Sequence, residues 1–505
     1  MRKHIMIFNV LFVLILCCCF AANADEDRKS GLFSYRLKGN GNAVITGFDW
    51  GNNNSQDVYI PRLLDGYTVS EVGPYAFSLQ SDSLSMENRI GEAVVVVLPD
   101  TVTMIGEKAF FCTNITALSI PASVEYIGEG AFAGCRNITM HSVQSGNKTY
   151  ATINGFLYNK IEKALIAVPA GKEYNETISI PDGIKSIGAY AFFGISIISD
   201  NNATCIIDFP EGLQRIGNYA FAFSKLKASD FNNYPEAFPK SIEEIGNNAY
   251  YGATLERLSI NNLNSSSLRS IGDYAFAYIH LIGAYDEIVN NGFVTFSNTL
   301  SHLGEGAFSH FDYPLFGFDL QNTIIDEIPD YAFCGANIME AEIKLPNTIK
   351  RIGKHAFAEL FLEGEGIEEY GDDAIWLSTK IQIPNSVVSI DSYAFAESYV
   401  SLGFSSPSQL KEINAYAFYR AAIWNYESED HLVVIPDGVE SIGAGAFQLV
   451  TDLQISIPSS VNEIGADVCN RSTTKFITVP GSYAAVFASE NGYLQDDEDT
   501  SWLND

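Results

Sequence analysis

Seven tyrosines stand one residue ahead of a recurring alanine: Tyr75, Tyr190, Tyr219, Tyr274, Tyr331, Tyr393 and Tyr416. Aligned on a repeating backbone they form a ladder of rings. Such a ladder suits stacking on sugars or peptides. It equally suits rings packed along the edge of a core with their hydroxyls in water. A second column comes from residues just before the last aliphatic of short alternating stretches: Val97, Ser119, Ser179, Asp208, Lys344, Gln382, Val434, Ser456 and Thr478. It is mostly small and polar, without the aromatic anchors that dominate protein interfaces. Its polar members, Ser119, Ser179, Asp208, Lys344, Gln382, Ser456 and Thr478, are the candidate partner face.

Covalent chemistry has little to work with. The sequence contains no HExxH, no GxSxG elbow, no GxxxxGK[ST] loop, no EF-hand loop and no CxxC pair. His302 and His310 are eight residues apart, a spacing that makes no metal site. Acidic residues are so numerous that a glycosidase-like carboxylate pair can be drawn almost anywhere, which makes such a pair uninformative. No catalytic residue, cofactor or metal is expected, and the chain reads as a non-enzyme.

The elements that position both columns follow from a repeat. Ile-Gly-x-x-Ala-Phe, or a close variant, occurs fifteen times, as in YIGEGAF at 126–132 and SIGDYAF at 270–276. Its alanine falls at 76, 109, 131, 191, 220, 249, 275, 307, 332, 356, 374, 394, 417 and 446, and Val468 takes the slot in the last unit. The mean step is 28 residues, the period of a solenoid. An aromatic once per coil, next to a small alanine, predicts an internal ring stack. The phrase glycine is replaced by Asp391, Asn414 and Pro329 in three units. Proline is locked near φ of about −65°, so positive φ is not obligatory there. Close approach of neighbouring coils explains the glycine better.

Upstream lie alternating aliphatics that end in proline: ALSIP at 117–121, TISIP at 177–181, EIKLP at 342–346, KIQIP at 380–384, LVVIP at 432–436 and QISIP at 454–458. Period-two alternation predicts a short half-buried strand, and the proline ends its pairing. Stacking predicts one long parallel sheet, on the order of 70 Å for fifteen coils at about 4.8 Å each.

This pattern resembles the BspA-like, or Treponema pallidum-type, leucine-rich repeats. Residues 115–138 carry it most fully, with Ile115, Leu118, Ile120, Pro121, Val124, Ile127, Gly128, Ala131, Phe132, Cys135 and Ile138 in register. The resemblance covers roughly residues 60–480, with departures at EYGDDAI (369–375) and EIGADVC (463–469). It implies a β-rich leucine-rich-repeat solenoid of about fifteen coils, with short turns or helical turns opposite the sheet. It also implies a surface adhesin or antigen whose partner is an extracellular protein or host-surface macromolecule. A glycan is the alternative partner, and a structural envelope component the third reading.

Residues 1–24 read as a secretory signal: Arg2, Lys3 and His4, an apolar run over 5–20, and Ala22-Asn23-Ala24 before an expected cleavage. An uncleaved anchor and lipidation at Cys17, Cys18 or Cys19 are the alternatives. No later stretch is long enough to span a bilayer. Residues 25–70 are expected to be a β cap and 71–480 the solenoid. Near 140–175 an insertion is expected, with strands GFLY and ALIAVP. Residues 481–505 read as a cap helix followed by a flexible acidic tail from Gln495.

Net charge is −31, and −33 once Arg2 and Lys3 leave with the signal (28 basic against 61 acidic). That argues against nucleic acid and anionic lipid as partners and favours solubility or a cationic partner. Five cysteines remain after the signal. Cys112 and Cys135 share a slot in adjacent coils, where they are either close enough to bridge or simply small buried hydrophobes. Eight N-x-[ST] sequons, at Asn53, Asn114, Asn137, Asn147, Asn175, Asn202, Asn264 and Asn470, read as Asn-rich turns or as glycan acceptors.

Overall fold

The computed structural model describes residues 27–53, 57–78, 94–174, 178–196, 207–227, 239–256, 262–263, 267–281, 293–311, 317–338, 342–360, 378–426, 428, 431–450 and 453–497. The signal segment, Cys205 and the EYGDDAI unit lie outside these residues.

The chain is a strand-rich repeat solenoid with very little helix. In place of one long sheet, the described strands form two main parallel ladders, with a short third one of Lys225–Lys227, Thr254–Glu256 and His280–Leu281 in the middle coils. The first collects the proline-terminated strands. Val94–Val97 pairs with Ile115–Ile120, Thr379–Ile383 with Tyr399–Phe404, and Gln454–Ile457 with Lys475–Thr478. The second collects two-residue strands ending at the phrase isoleucine, such as Ser186–Ile187, Arg215–Ile216 and Glu244–Ile245. That isoleucine read as a lone aliphatic in the sequence. It becomes a strand because the next glycine donates its N–H to the isoleucine carbonyl of the preceding coil, as Gly217 does to Ile187 (2.8 Å). Both ladders are broken into several sheets along the axis.

The Ala-Phe turn supplies a third line of coil-to-coil bonds. The phenylalanine N–H donates to the alanine carbonyl of the next coil: Phe110 to Ala131 (2.9 Å), Phe221 to Ala249 (2.7 Å), Phe333 to Ala356 (2.8 Å). Residues before the alanine and three after it also donate forward, as Tyr219 does to Asn247 (3.0 Å) and Phe223 to Tyr251 (2.9 Å). Their φ values are positive, 55° at both Tyr219 and Phe223. The left-handed residues of each turn are therefore the one before the alanine and the one three after it, not the phrase glycine. The glycine answers to crowding: a Cβ on Gly217 would lie 2.6 Å from Ala189 N and 2.9 Å from Gly188 C. Asp391 and Asn414, in that slot, do not have positive φ. Asp391 meets Arg351 at 2.8 Å, and Asn414 Nδ2 donates to Ile390 O at 3.2 Å.

The phenylalanines stack through the interior. From Phe192 to Phe447 each ring lies 4.7–5.6 Å from the next, with Tyr250 in one slot. Full burial of such a ring contributes roughly 2–3 kcal/mol. Phe357 stacks directly on Phe395 (5.2 Å), and its N–H donates to Ala394 O (2.7 Å). The coils of Ala356 and Ala394 are thus neighbours in the stack.

One layer carries no phrase. In the insertion, Tyr150–Ile153, Phe156–Asn159 and Ala164–Ala167 pair antiparallel. Ala164–Ala167 then pairs parallel with Ser186–Ile187, and Val168 donates to Ala191 O (3.0 Å) in the manner of a phrase phenylalanine. The insertion packs Tyr150, Leu157 and Ala167 into the N-terminal core and Phe156, Tyr158 and Leu165 into the C-terminal one. Here the phenylalanine stack is interrupted, and buried His141 covers Phe132 instead (5.5 Å).

At the N-terminal end Arg28–Ser30, Phe33–Leu37 and Ala43–Phe48 form an antiparallel set, and Ala43–Phe48 starts the parallel ladder. At the other end helix Tyr483–Asn491 is capped by Ser482, which accepts from Ala485 N, and stops at Gly492 in the left-handed region. Leu494–Asp497 then pairs parallel with Lys475–Thr478. The expected flexible tail thus begins with a strand. An open ladder edge accepts any extended backbone, whatever its side chains.

Candidate functional site

The outward strand column is placed by alternation. In Ile115–Ile120 the side chains of Ile115, Leu118 and Ile120 are buried and Ser119 is exposed. Ser179 and Asp208 are exposed and directly paired, while Lys344, Gln382 and Ser456 are half-buried. Ser119 sits beside Val97 on one side and Ser142 on the other, with Ser142 Oγ donating to Ser119 Oγ (3.0 Å). The column starts at Tyr59, 67% exposed and paired with Val97. It includes Thr295 and Asp319, whose coils lack the Ile-Pro ending that marked the others.

Thr478 does not belong to it. It is buried, its partner across the ladder is inward-facing Ile457, and the residue beside Ser456 is Ile477. In FITVP the aliphatic before proline, Val479, lies beyond the strand and is exposed, so counting back from proline lands one residue off. A one-residue slip exchanges the two faces.

The tyrosine column is a stack. Tyr190 and Tyr219 lie 4.9 Å apart at 8°, and Tyr331, His355, Tyr393 and Tyr416 follow one another at 4.9, 5.0 and 5.1 Å with planes within 13°. Parallel rings at this spacing cover each other's faces, leaving edges and hydroxyls outward. Lys108 fills the slot after Tyr75 and reaches back over the Tyr75 ring (5.6 Å) and forward over Tyr190 (4.9 Å). Burial raises the Tyr190 hydroxyl to about 12 against the pull of Lys108. Burial also raises Tyr274, as does the hydrogen bond its hydroxyl donates to Glu305 (2.8 Å). Where glycine takes the slot, as at Gly306 and Gly445, the preceding tyrosine ring lies over it.

Every described cysteine is free. Cys135 donates to Phe110 O (2.9 Å), and burial pushes its thiol up to about 12 and that of Cys112 to about 11. Thiols so raised are poor nucleophiles. Among the described residues no group of three or more His, Cys, Asp or Glu side chains is arranged to hold a metal, and no helix is long and apolar enough to cross a membrane. Two sequons are closed: Asn53 is buried, and Asn147 is buried with its Nδ2 donating to Pro121 and Val124 carbonyls, both at 2.9 Å.

A second aromatic strip escaped the sequence reading. Phe111, Phe193, Phe223, Tyr251 and Tyr278 touch in succession at 5.5, 5.7, 5.6 and 5.3 Å, and Tyr278 stacks on His310 at 4.3 Å. Its members sit either two or three residues after the alanine, so no single slot of the repeat shows them.

The family described as "BspA type Leucine rich repeat region" matches residues 67–168, 170–282, 283–368 and 376–489, in six copies. The chain belongs to that family of leucine-rich-repeat proteins. No curated protein sequence matches it significantly. Solved structures similar to it include a leucine-rich repeat protein from Bacteroides ovatus (17% identity, 88% of this chain and 100% of that one, TM-score 0.38). Another, from Eubacterium ventriosum, is 16% identical over 80% of this chain and 96% of its own, with a TM-score of 0.37. A leucine rich cell surface protein from Faecalibacterium prausnitzii is 18% identical over 96% and 98%, with a TM-score of 0.31. At these scores the superpositions carry no weight of their own, and the family rests on the repeat.

Proposed function

We propose that the protein is a secreted or surface-displayed, non-catalytic interaction module that binds an extracellular macromolecule along its strand face. The observation that carries this reading is the outward strand column. Short parallel strands repeat one small or polar side chain per coil, as at Ser119, Ser142, Ser179 and Asp208. A solenoid presents such a face over many coils, and an extended face suits a macromolecule better than a small substrate. The apolar segment over 5–20 and the Ala22-Asn23-Ala24 site support export. The raised cysteine thiols and the absence of a nucleophile–base pair in the sequence motifs favour binding over turnover.

The test is a binding screen of residues 25–505 against matrix and cell-surface proteins, followed by face-directed variants. Lys344→Glu combined with Asp208→Lys is expected to weaken a genuine protein partner at least about tenfold while leaving the fold intact. A partner that binds unchanged after both reversals uses another surface.

A further inference from the structure

The lines that tie coil to coil are interrupted along the solenoid, and away from the insertion a break in one is spanned by the others. The second ladder breaks between His302–Leu303 and Glu327–Ile328. There the first ladder runs on through Phe293–Phe296, Gly317–Asp319 and Glu342–Lys344, and Phe308 still stacks on Phe333 (5.6 Å). The first ladder breaks between Ala422–Asn425 and Leu432–Val434. There the second pairs Glu412–Ile413 with Ser441–Ile442, and Phe418 stacks on Phe447 (5.0 Å). At the insertion, among the described residues, the lines stop together. The first ladder ends at Ser142–Val143 and the second at Tyr126–Ile127. Phe110 donates to Ala131 O and Phe192 to Ala220 O, whereas Phe132 donates no such forward bond. The ring stack that reaches Phe132 from Phe110 also ends there, under His141.

Side chains bridge much of this boundary. The Ile127 N–H, at the open edge of its ladder, donates to the Tyr150 hydroxyl (2.8 Å). Buried Asn147 reaches back to the Pro121 and Val124 carbonyls. Tyr150, Leu157 and Ala167 join the N-terminal core. On the outside Lys108 lies over the Tyr190 ring (4.9 Å) and Phe111 touches Phe193 (5.5 Å). The backbone adds Gly171 N to Ile138 O and His141 N to Gly155 O, both 2.8 Å. A gap of about 10 Å³ lies where Phe132 faces Val168, close to the least volume that takes a water. The insertion itself is tied by backbone in one direction, through Ala164–Ala167 on Ser186–Ile187.

The cooperativity of a solenoid extends only as far as its coil-to-coil interfaces carry it. An interface without a continuous ladder lets the shorter stack open by itself. We infer that the insertion is a seam at which residues 27–143 open as a cooperative unit of their own while residues 150–497 stay folded. The same seam divides the strand face into one panel ending at Ser142 and another starting at Ser179.

The measurement is hydrogen exchange of the full mature chain at rising urea, read by mass spectrometry on peptides from 94–138 and from 317–360. The first set is expected to lose protection at the lower urea concentration. Tyr150→Phe, which keeps the ring but takes the acceptor from Ile127, should speed exchange in the first set about tenfold and leave the second unchanged. Phe333→Ala should speed the second set and leave the first unchanged. The inference is overturned if both sets lose protection together in the wild-type chain. It is also overturned if Tyr150→Phe leaves the first set unchanged, or if either variant speeds both sets equally.

Discussion

The two ring columns flanking each repeat alanine lie two residues apart in sequence and end in different surroundings. Phe221, Phe276, Phe333 and Phe418, one residue after the alanine, are fully buried. Tyr219, Tyr274, Tyr331 and Tyr416, one residue before it, are half-buried or exposed. Both columns stack ring on ring at close to one coil spacing. The backbone separates them: the tyrosine position is left-handed, with φ of 60° at Tyr331, whereas the phenylalanine position is not. Left-handed backbone at a non-glycine residue costs on the order of 1 kcal/mol or more. Here it is offset by the forward hydrogen bond and by stacking. Side-chain type alone therefore did not decide which aromatic became core.

The largest break in this comparison is expected from Phe333→Ala. Its ring is stacked on Phe308 and Phe357 at 5.6 and 5.5 Å and has no solvent exposure. Chemical denaturation should show a loss of about 3–5 kcal/mol. Tyr393→Ala, in the outer column, should lose no more than about 1 kcal/mol. Equal losses would mean that the outer column is as much core as the inner one.

Next comes pH, because each column holds a histidine. His141, against Phe132, has a pKa pushed down to about 4, chiefly by burial. Its folded value is below the ordinary 6.5, so the unfolded chain binds the extra proton first. The stability it contributes is complete above 6.5 and is lost as pH falls from there through about 4. The loss approaches about 3 kcal/mol. Urea midpoints at neutral and acid pH measure it, and His141→Gln should flatten that part of the slope. His355, between Tyr331 and Tyr393, is shifted down in the same direction by burial, opposed by Asp330. Its less complete burial predicts the shallower dependence.

The glycines give the smaller effects. Gly217→Ala would force a Cβ against Ala189 N (2.6 Å) and should cost about 1–3 kcal/mol, read from the melting temperature. Gly130→Ala, at φ 64°, meets only the Tyr190 and Lys108 side chains at 3.1–3.2 Å and should cost about 1 kcal/mol. If Tyr190→Ala in the same chain removes part of that cost, the outer column and its glycine share the space. If it does not, backbone strain accounts for the whole.

Much of this was legible in the residues. The Ile-Gly-x-x-Ala-Phe phrase carried the solenoid, the ring stack and the reason for its glycine, because each is a local requirement repeated many times. The register of Ser119 and Ser179 was legible because Ile-Pro marks the strand end. Thr478 was misplaced because Val479 lies outside its strand, which only pairing with Ile457 reveals. That the coils of Ala356 and Ala394 are neighbours was not legible in the phrase, because it shows only in the stacking of Phe357 on Phe395. Conversely, Val168 carries no phrase, yet it takes a layer because the insertion offers a strand to Ser186–Ile187.

By itself the sequence determined what each coil must do: extend, turn, bury one ring and come close to its neighbour at one glycine. Those are short-range properties of alternation, glycine and alanine, and they need no knowledge of the rest of the chain. The tertiary structure decided which segments became coils, how the two ladders divided, and how neighbouring rings are tilted. These depend on the coil above and the coil below. The tilt of Phe223 against Tyr251, or the covering of Phe132 by His141, is fixed only when both coils are in place.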